Sequence, residues 1–194
     1  MKKVGLFFGT FDPIHVGHER IAKYFLEIYF DEIWFVITPL NPDKINENLT
    51  DQSIRLEMSK IFCGDQEKFK SCDIEFSLPK PNYTADTLVE LKKKYPDLNF
   101  GIIMGEDNLI GLETWKNFNK ILEGKIYVYP RINKLNIDAN LKDHPSVIFS
   151  NAPVMKISSS EIRRVIVQNG DYQKLVPEQI SKHISNNNLS LIHI

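Results

Sequence analysis

Short apolar runs alternate along the chain with longer stretches in which apolar residues recur every three or four positions. Several runs are continuously apolar, which is typical of parallel strands covered on both faces. The six predicted strands are Val4–Phe8, Ile33–Thr38, Phe69–Ile74, Phe100–Met104, Lys125–Tyr129 and Val147–Ser150. The five predicted helices are residues 18–29, 51–63, 85–95, 106–122 and 159–168. This alternation predicts a doubly wound parallel α/β sheet.

The composition narrows the partners that such a fold can have. The 194 residues fit one domain, 1–194, with a C-terminal helical portion over about residues 157–186. Hydrophobic residues make up 42% of the chain, which is enough for a sizeable core. The formal net charge of −1 argues against nucleic-acid binding, which normally needs a basic surface. No apolar run approaches the ~20 residues of a membrane span, so no membrane partner is expected.

The two cysteines indicate a cytoplasmic protein. Cys63 and Cys72 fit neither a CxxC metal knuckle nor a disulfide framework, and reduced thiols are the simplest account of them. The oligomeric state, including a homo-oligomer, stays open, because an exposed apolar patch is not readable from the sequence.

The loop between the first strand and the first helix carries the most chemistry, with the sequence Gly9-Thr10-Phe11-Asp12-Pro13-Ile14-His15-Val16-Gly17-His18. Gly9 permits a tight exit from the strand, and Gly17 leaves room beside the helix start. Free amides and the positive end of the helix dipole both favour an anion there. His15 and His18 can point the same way and donate hydrogen bonds to phosphate oxygens, more strongly if charged. The loop therefore predicts a phosphate-binding site.

Two other interpretations of the histidine pair stay open. An HxxH spacing on a helix can hold zinc, but zinc needs a third ligand and usually a glutamate inside the pair. This chain has Val16 and Gly17 between the histidines. The pair can also be purely structural.

A second cluster opens the last predicted helix, with the sequence Ile157-Ser158-Ser159-Ser160-Glu161-Ile162-Arg163-Arg164. Ser158 or Ser159 can cap the helix, and serine hydroxyls and amides at a helix start can also face an anion. Arg163 or Arg164 can reach forward as a bidentate phosphate clamp. The alternative is a well-capped surface helix with two solvated arginines.

Two further clusters lie in the middle of the chain. Residues 81–88, Pro-Asn-Tyr-Thr-Ala-Asp-Thr-Leu, read by themselves as a turn and a capped helix. Residues 104–109 and then 114–116 place Glu106, Asp107 and the Trp115 indole just past a strand end. Such groups suit a base or a ribose, although a capped helix with a core tryptophan fits as well.

The predicted fold itself indicates where to look for a ligand. In an open parallel sheet, ligands lie beyond the carboxyl ends of the strands. The loops after the first, fourth and sixth predicted strands are therefore the expected site, and they are also the chemically rich ones. Two long connections, residues 39–48 and 131–145, have the length of binding elements or lids.

Taken together, the four clusters resemble the bacterial nicotinate-nucleotide adenylyltransferases of the HxGH nucleotidyltransferase superfamily. GTFDPIHVGH is similar to the first signature of that family, ISSSEIR to its last, and PNYTADTL and GEDNLIGLETW to its middle ones. The resemblance runs from Val4 to about Ile184 and implies a Rossmann-like fold of nucleotidyltransferase type. The chain departs from the family at Asp43, where a histidine is usual, while Lys44 keeps the cation that follows it.

The resemblance implies a reaction and a set of site residues. The reaction is adenylyl transfer from ATP, with Mg²⁺, to nicotinate mononucleotide, which gives nicotinate adenine dinucleotide and pyrophosphate in NAD biosynthesis. The implied catalytic residues are His15, His18 and Arg163. The implied ATP-binding residues are Gly9, Thr10, Phe11, His15, Gly17, His18, Gly105, Asp107, Ile157, Ser159, Ser160 and Arg163. The implied residues for the second substrate are Lys44, Tyr83, Thr84, Asp107 and Trp115, and none is implied as a metal ligand.

Three rival functions accompany this hypothesis. One is a related transferase that acts on nicotinamide mononucleotide, phosphopantetheine, FMN or glycerol phosphate. Another is a nucleotide-binding regulator that has lost turnover, which intact His15, His18 and Arg163 argue against. The third is a zinc-dependent hydrolase.

Overall fold

In the part of the chain that the structure describes, six strands lie in one parallel sheet. The computed structural model describes residues 1–45, 47–64, 66–132, 137–187 and 189. For Lys44 it describes the backbone and not the side chain. The strands are β1 (Lys2–Gly9), β2 (Glu32–Ile37), β3 (Phe69–Cys72), β4 (Leu98–Gly105), β5 (Lys125–Tyr129) and β6 (Val147–Phe149). They are ordered β3-β2-β1-β4-β5-β6, and each neighbouring pair is parallel. The predicted doubly wound sheet is confirmed.

Eight helices connect or follow these strands in the described part of the chain. They are α1 (Val16–Ile28), α2 (Gln52–Gly64), α3 (Thr84–Lys94), α4 (Glu106–Ile110), α5 (Phe118–Leu122), α6 (Ala139–Lys142), α7 (Ser159–Val167) and α8 (Glu178–Asn186). Short 3-10 helices cover Pro42–Lys44, Ile74–Ser77 and Leu112–Thr114.

The continuous apolar runs are explained by a separate core on each face of the sheet. In β1, Leu6 packs into one core while Phe7 packs into the other, and both side chains are buried. Neighbouring strand residues point to opposite faces, so a strand covered on both sides needs apolar residues at every position. The core that contains Phe7 also receives residues of α1, α2, α7 and α8, whereas α3, α4, α5 and α6 contribute to the other.

The strand order places a crevice beside β1. The chain leaves β1 toward β2 on one side and later returns to pair β4 on the other, with Gly9 opposite Ile37 and Phe7 opposite Ile103. Connections on the two sides diverge at the carboxyl ends of β1 and β4, which opens a space for ligands.

The predicted helix over 106–122 is wrong as a single element. The structure breaks it into α4, the 3-10 helix Leu112–Thr114 and α5. Gly111 ends α4, and Asn117 has a φ of 55°, a left-handed conformation that stops helix propagation.

Two other differences concern the ends of elements and the connections. The third strand stops at Cys72 instead of Ile74, because the chain there turns into the 3-10 helix Ile74–Ser77. The connection 131–145 contains α6, while residues 133–136 lie outside the described part. At the C-terminus, α8 ends at Asn186.

The described ranges contain no helix that is both long enough and apolar enough to cross a bilayer.

Candidate active site

Two histidines cap the first helix reciprocally. His15 is the N-cap of α1, and its Nδ1 accepts hydrogen bonds from the amides of Gly17 at 3.1 Å and His18 at 3.3 Å. Nδ1 of His18 in turn accepts from the His15 amide at 3.3 Å. Because both Nδ1 atoms are acceptors, each neutral ring carries its proton on Nε2. Each imidazole is therefore oriented as an Nε2–H donor.

Both imidazoles are neutral near pH 7. Burial, with a smaller contribution from Arg131, lowers the pKa of His15 to about 3. Burial, His15 and Arg131 together lower the pKa of His18 well below its usual 6.5. The two rings are stacked with centroids 3.6 Å apart and planes within 18°, an arrangement that disfavours charging them. Any hydrogen bond that the two rings donate through Nε2 therefore comes from a neutral imidazole, whereas the sequence also allowed charged donors.

Phe11 supports the histidines from the core. Its side chain is only 2% exposed, and its ring packs edge-on against His18 with centroids 4.9 Å apart. A Cβ at Gly9 would lie 3.0 Å from the Phe11 ring, so glycine lets the ring pack against the end of β1. Phe11 thus supports the site from within the core.

The last motif packs onto the first. Ser158 caps α7, and the Ser159 hydroxyl donates to the Pro13 carbonyl at 3.0 Å. The Arg163 guanidinium donates to the Asp12 carbonyl at 2.7 Å, and it lies 3.7 Å from the Asp12 carboxylate. A Cβ at Gly17 would lie 2.7 Å from the Ile157 side chain, so glycine permits this close approach.

Of the two arginines in this motif, the structure selects one. Arg163 is partly buried against the first loop, and its Nη2 donates to the Ser160 hydroxyl at 3.3 Å. Arg164 is exposed on the outer side of α7. Arg163 is thus the arginine that α7 places beside the loop from Gly9 to His18, here called the histidine loop.

One cavity, here called the Arg131 cavity, lies on the β4–β5 side of this loop. Its volume is about 390 Å³, and its lining residues are Asp107, Arg131, Ile132, Met155, Lys156, Ile157, Ser158 and Glu161. Arg131 forms a two-pronged ion pair with Asp107 (2.8 and 3.0 Å) and lies over the Tyr129 ring at 5.1 Å. A Cβ at Gly105 would lie 2.2 Å from the Asp107 carboxylate, so glycine makes room for the pair.

A second cavity, the Trp115 cavity, lies on the other side of the loop. Its volume is about 170 Å³, and its lining residues are Phe8, Gly9, Thr38, Asn41, Pro42, Asp43, Glu75, Asn82, Tyr83, Thr84, Asn108, Thr114, Trp115, Lys116 and Ile121. Tyr83, Thr84 and Trp115 therefore lie together as expected for the second substrate. Asp107, expected there too, borders the Arg131 cavity instead. The Lys44 side chain lies outside the described residues, although its neighbours Pro42 and Asp43 line the wall.

The N-terminus of α3 borders the Trp115 cavity. Tyr83 is its N-cap residue, and among the described side chains none makes a capping hydrogen bond to this helix. The Asp86 amide donates to the Tyr83 carbonyl at 3.0 Å, so the amides of Thr84 and Ala85 are the ones placed to receive an anionic group of a ligand.

A buried arginine that the motifs do not include secures the loops of the site. Arg55 on α2 is 1% exposed, and its guanidinium donates to four backbone carbonyls at 2.8–2.9 Å, those of Thr10, Thr38, Pro39 and Thr50. The sequence did contain a signal for the burial of Arg55, namely its spacing. Arg55 lies three residues before Met58 and seven before Phe62, on the buried stripe of the helix. Arg131 gave no comparable signal.

A buried carboxyl group forms part of the Trp115 cavity wall. Glu75 is 1% exposed, and its Oε1 accepts a hydrogen bond from the Thr87 hydroxyl at 2.7 Å. Burial raises the pKa of Glu75 to about 7, against the opposing effect of the Thr87 and Thr38 hydroxyls. Its Oε2 has no hydrogen-bond partner among the described residues.

The arrangement does not include a resident metal centre in the part of the chain that the structure describes. There, no three His, Cys, Asp or Glu side chains form a group able to hold a metal ion. The donors that surround the loop are instead imidazole, guanidinium, hydroxyl and amide groups, which suit phosphate oxygens.

Comparisons with known proteins agree with this geometry. Residues 6–165 match the cytidylyltransferase-like family. A probable nicotinate-nucleotide adenylyltransferase of Flavobacterium johnsoniae is 46% identical over 188 residues, covering 96% of this chain and 97% of the relative. Its counterpart in Christiangramia forsetii is 44% identical over 189 residues, with the same coverage.

A solved structure is similar over almost the whole chain. It is Plasmodium falciparum nicotinic acid mononucleotide adenylyltransferase complexed with NaAD, which superposes with a TM-score of 0.79 at 27% identity, covering 98% of each chain. The same enzyme complexed with APC gives a TM-score of 0.78 at 26% identity, again over 98% of each chain. The family match, the near full-length relatives and the shared fold show that this chain belongs to the nicotinate-nucleotide adenylyltransferases, nucleotidyltransferases of the cytidylyltransferase-like family.

Proposed function

We propose that this protein transfers the adenylyl group of ATP to nicotinate mononucleotide, releasing pyrophosphate and forming nicotinate adenine dinucleotide for NAD biosynthesis. The observation that carries the proposal is the position of the histidine loop between two cavities. Gly9, at its start, lines the Trp115 cavity, and Gly17, at its end, lies against Ile157 of the Arg131 cavity. Two nucleotides bound on either side would meet at this loop.

The reaction needs little proton transfer. The phosphate of a mononucleotide is largely ionised near neutral pH, so it attacks the α-phosphorus of ATP directly while pyrophosphate leaves in line. The bond that forms joins the mononucleotide oxygen to the α-phosphorus, and the bond that breaks joins that phosphorus to the bridging oxygen of pyrophosphate. What remains for the enzyme is positioning and the stabilisation of negative charge.

His15 and His18 supply this stabilisation in the proposed mechanism. Their Nε2–H groups donate to phosphate oxygens, with His18 at the α-phosphate in the transition state. Neutral donors already oriented by backbone amides do not need to reorganise as charge develops, which is the condition for effective electrostatic stabilisation.

The start of α7 holds the departing pyrophosphate. Arg163 binds the β- and γ-phosphates, assisted by Ser159 and Ser160 in the first turn of the helix. The hydrogen bond from Arg163 to the Asp12 carbonyl keeps its guanidinium beside the histidine loop. Thr10 and the backbone of Phe11 complete the crevice.

Each nucleoside has its own cavity in this assignment. Gly105, Asp107 and Ile157 border the adenosine of ATP in the Arg131 cavity. In the Trp115 cavity, Trp115 stacks on the nicotinate ring, Tyr83 flanks it, and amides near Thr84 face the ring carboxylate. Lys44, from the 3-10 helix beside that cavity, binds the mononucleotide phosphate.

Magnesium is proposed to arrive with ATP. The described residues offer no three-ligand site, whereas Mg²⁺ typically keeps several waters and binds through substrate phosphates. When bound, it neutralises phosphate charge and favours the departure of pyrophosphate. A cytoplasmic location is part of the same proposal, and the unpaired thiols of Cys63 and Cys72 support it.

Product identification tests the proposed reaction. Purified protein is incubated with MgATP and nicotinate mononucleotide, and the products are separated by chromatography and identified by mass. Nicotinate adenine dinucleotide and pyrophosphate should appear in equal amounts. Release of AMP or inorganic phosphate without the dinucleotide would mean that the protein hydrolyses ATP and does not transfer the adenylyl group.

A further inference from the structure

The charges on the wall of the Trp115 cavity are unevenly placed. Its acidic and basic lining side chains, among those the structure describes, are Asp43, Glu75 and Lys116. Asp43 is exposed, and Glu75 is buried with a pKa raised to about 7. Lys116 is thus the positive side chain in the described wall.

Lys116 is held at the mouth of that cavity by two contacts. Its Nζ lies 4.7 Å from the centroid of the Tyr83 ring and 2.8 Å from the Asp86 carboxylate. Both partners belong to the N-terminal end of α3, and Lys116 directly follows Trp115 in the chain. The ammonium is therefore beside the ring that flanks the pocket and close to the uncapped start of α3.

Nicotinate and nicotinamide mononucleotides differ at one group on the same ring position, a carboxylate in one and a neutral amide in the other. Backbone N–H donors can bond to an oxygen of either group, and they bond the charged carboxylate more strongly. A positive side chain favours the carboxylate by charge, and the gain is larger where water is partly excluded.

We propose that Lys116 is the specificity-determining residue that makes the protein prefer the acid over the amide mononucleotide. This assignment rests on the proposed function and deepens it. The ammonium faces the ring carboxylate from the mouth of the cavity, and Asp86 both orients it and competes for its charge.

Substitution at Lys116 and Asp86 should move the preference in opposite directions. Lys116→Met keeps an unbranched side chain over the Tyr83 ring and removes the charge. The ratio of kcat/KM for acid over amide should fall about threefold, because the lysine is half exposed. Lys116→Arg should keep most of the preference. Asp86→Asn frees the ammonium and should raise the ratio. Lys120→Met on α5, an exposed lysine outside the lining of the Trp115 cavity, is the matched control and should leave it unchanged.

The experiment measures kcat/KM for both mononucleotides with saturating MgATP, and equilibrium binding of each mononucleotide by calorimetry. An unchanged acid-to-amide ratio in Lys116→Met, with normal thermal stability and turnover, would overturn the assignment while leaving the proposed reaction intact. A wild-type protein that binds and adenylylates neither mononucleotide would overturn the proposed function and the assignment with it. Increasing salt should weaken the acid preference of the wild type more than that of Lys116→Met.

Discussion

The two ring nitrogens of His18 have different roles in the proposed contact with phosphate. Nδ1 accepts the His15 amide and fixes the ring, which leaves Nε2–H as the donor. Burial keeps the imidazole neutral at pH 7, so the residue works as an oriented dipole and does not need to be protonated first. This orientation depends on backbone positions that only the folded loop provides.

The His18 donor can be removed or replaced by substitution. His18→Ala should lower kcat by a factor on the order of 10²–10³, the usual cost of losing one preorganised donor to developing charge. His18→Gln presents a neutral amide N–H near the position of Nε2 and should recover part of that loss. Steady-state kinetics check both variants, and near-normal turnover in His18→Ala would contradict the assigned role.

Glu75 makes stability depend on pH. The folded protein keeps the Glu75 proton up to about pH 7, whereas the unfolded chain releases it near 4.5. Between these values the folded state binds more protons, so this residue's contribution to the free energy of unfolding falls as pH rises. The buried histidines, with lowered pKa values, contribute with the opposite sign below pH 6.5.

Comparison with Glu75→Gln isolates this contribution. From below pH 4.5 to above pH 7, the variant should gain roughly 3 kcal/mol in unfolding free energy relative to the wild type. Urea unfolding at several pH values measures the difference. A difference that stays constant with pH would show that the Glu75 pKa is not raised.

Among the secondary-structure elements, helix α2 holds the loops around the site in place. Arg55 reaches from this helix to carbonyls after β1, after β2 and before α2 itself. Its five donors in a planar fork suit such a set, and its charge is balanced by the nearby Asp12.

Loss of the Arg55 guanidinium and its four hydrogen bonds, here called the Arg55 fork, should destabilise the protein. Arg55→Met leaves three buried carbonyls and one partly buried carbonyl without this donor. It should lower the unfolding free energy by roughly 3 kcal/mol, or Tm on the order of 10 °C. Arg55→Lys should recover only part, because an ammonium cannot reach all four carbonyls. The exposed Lys60→Met in the same helix is the control for thermal denaturation. Equal Tm values for Arg55→Met and this control would refute the role of the fork.

Apolar periodicity in the sequence predicted the strands and the longer helices. It missed the helix breaks, which depend on the backbone conformation of single residues. All six strands and the helices α1, α2, α3 and α7 follow from apolar periodicity. The 106–122 segment failed because apolar spacing continues across Gly111 and Asn117, although the backbone at Asn117 is left-handed. Residues of the motifs line both cavities. The Arg131–Asp107 pair and most of the Arg55 hydrogen bonds join residues far apart in sequence and become visible only in the fold.

For the whole molecule, the site is assembled from distant parts of the chain. Arg163 and its partner Asp12 are 151 residues apart, and the reversal of strand order beside β1 leaves the crevice in which their elements meet. No separate metal centre is available in the described residues to organise this crevice. The fold itself positions the groups proposed to bind phosphate.

This assembly predicts different effects of metal removal on activity and on folding. EDTA should abolish turnover, since magnesium is proposed to enter with ATP, and should leave Tm without nucleotide unchanged. Activity assays and thermal denaturation on the same samples check both. A Tm that drops by several degrees on chelation would instead indicate a structural metal.

The most direct test of adenylyl transfer to nicotinate mononucleotide is the release of pyrophosphate from MgATP with three acceptors in parallel: nicotinate mononucleotide, nicotinamide mononucleotide and phosphopantetheine. Fast release is expected with the first, slower release with the second and none with the third. Release with phosphopantetheine alone, or with none of the three, would contradict it.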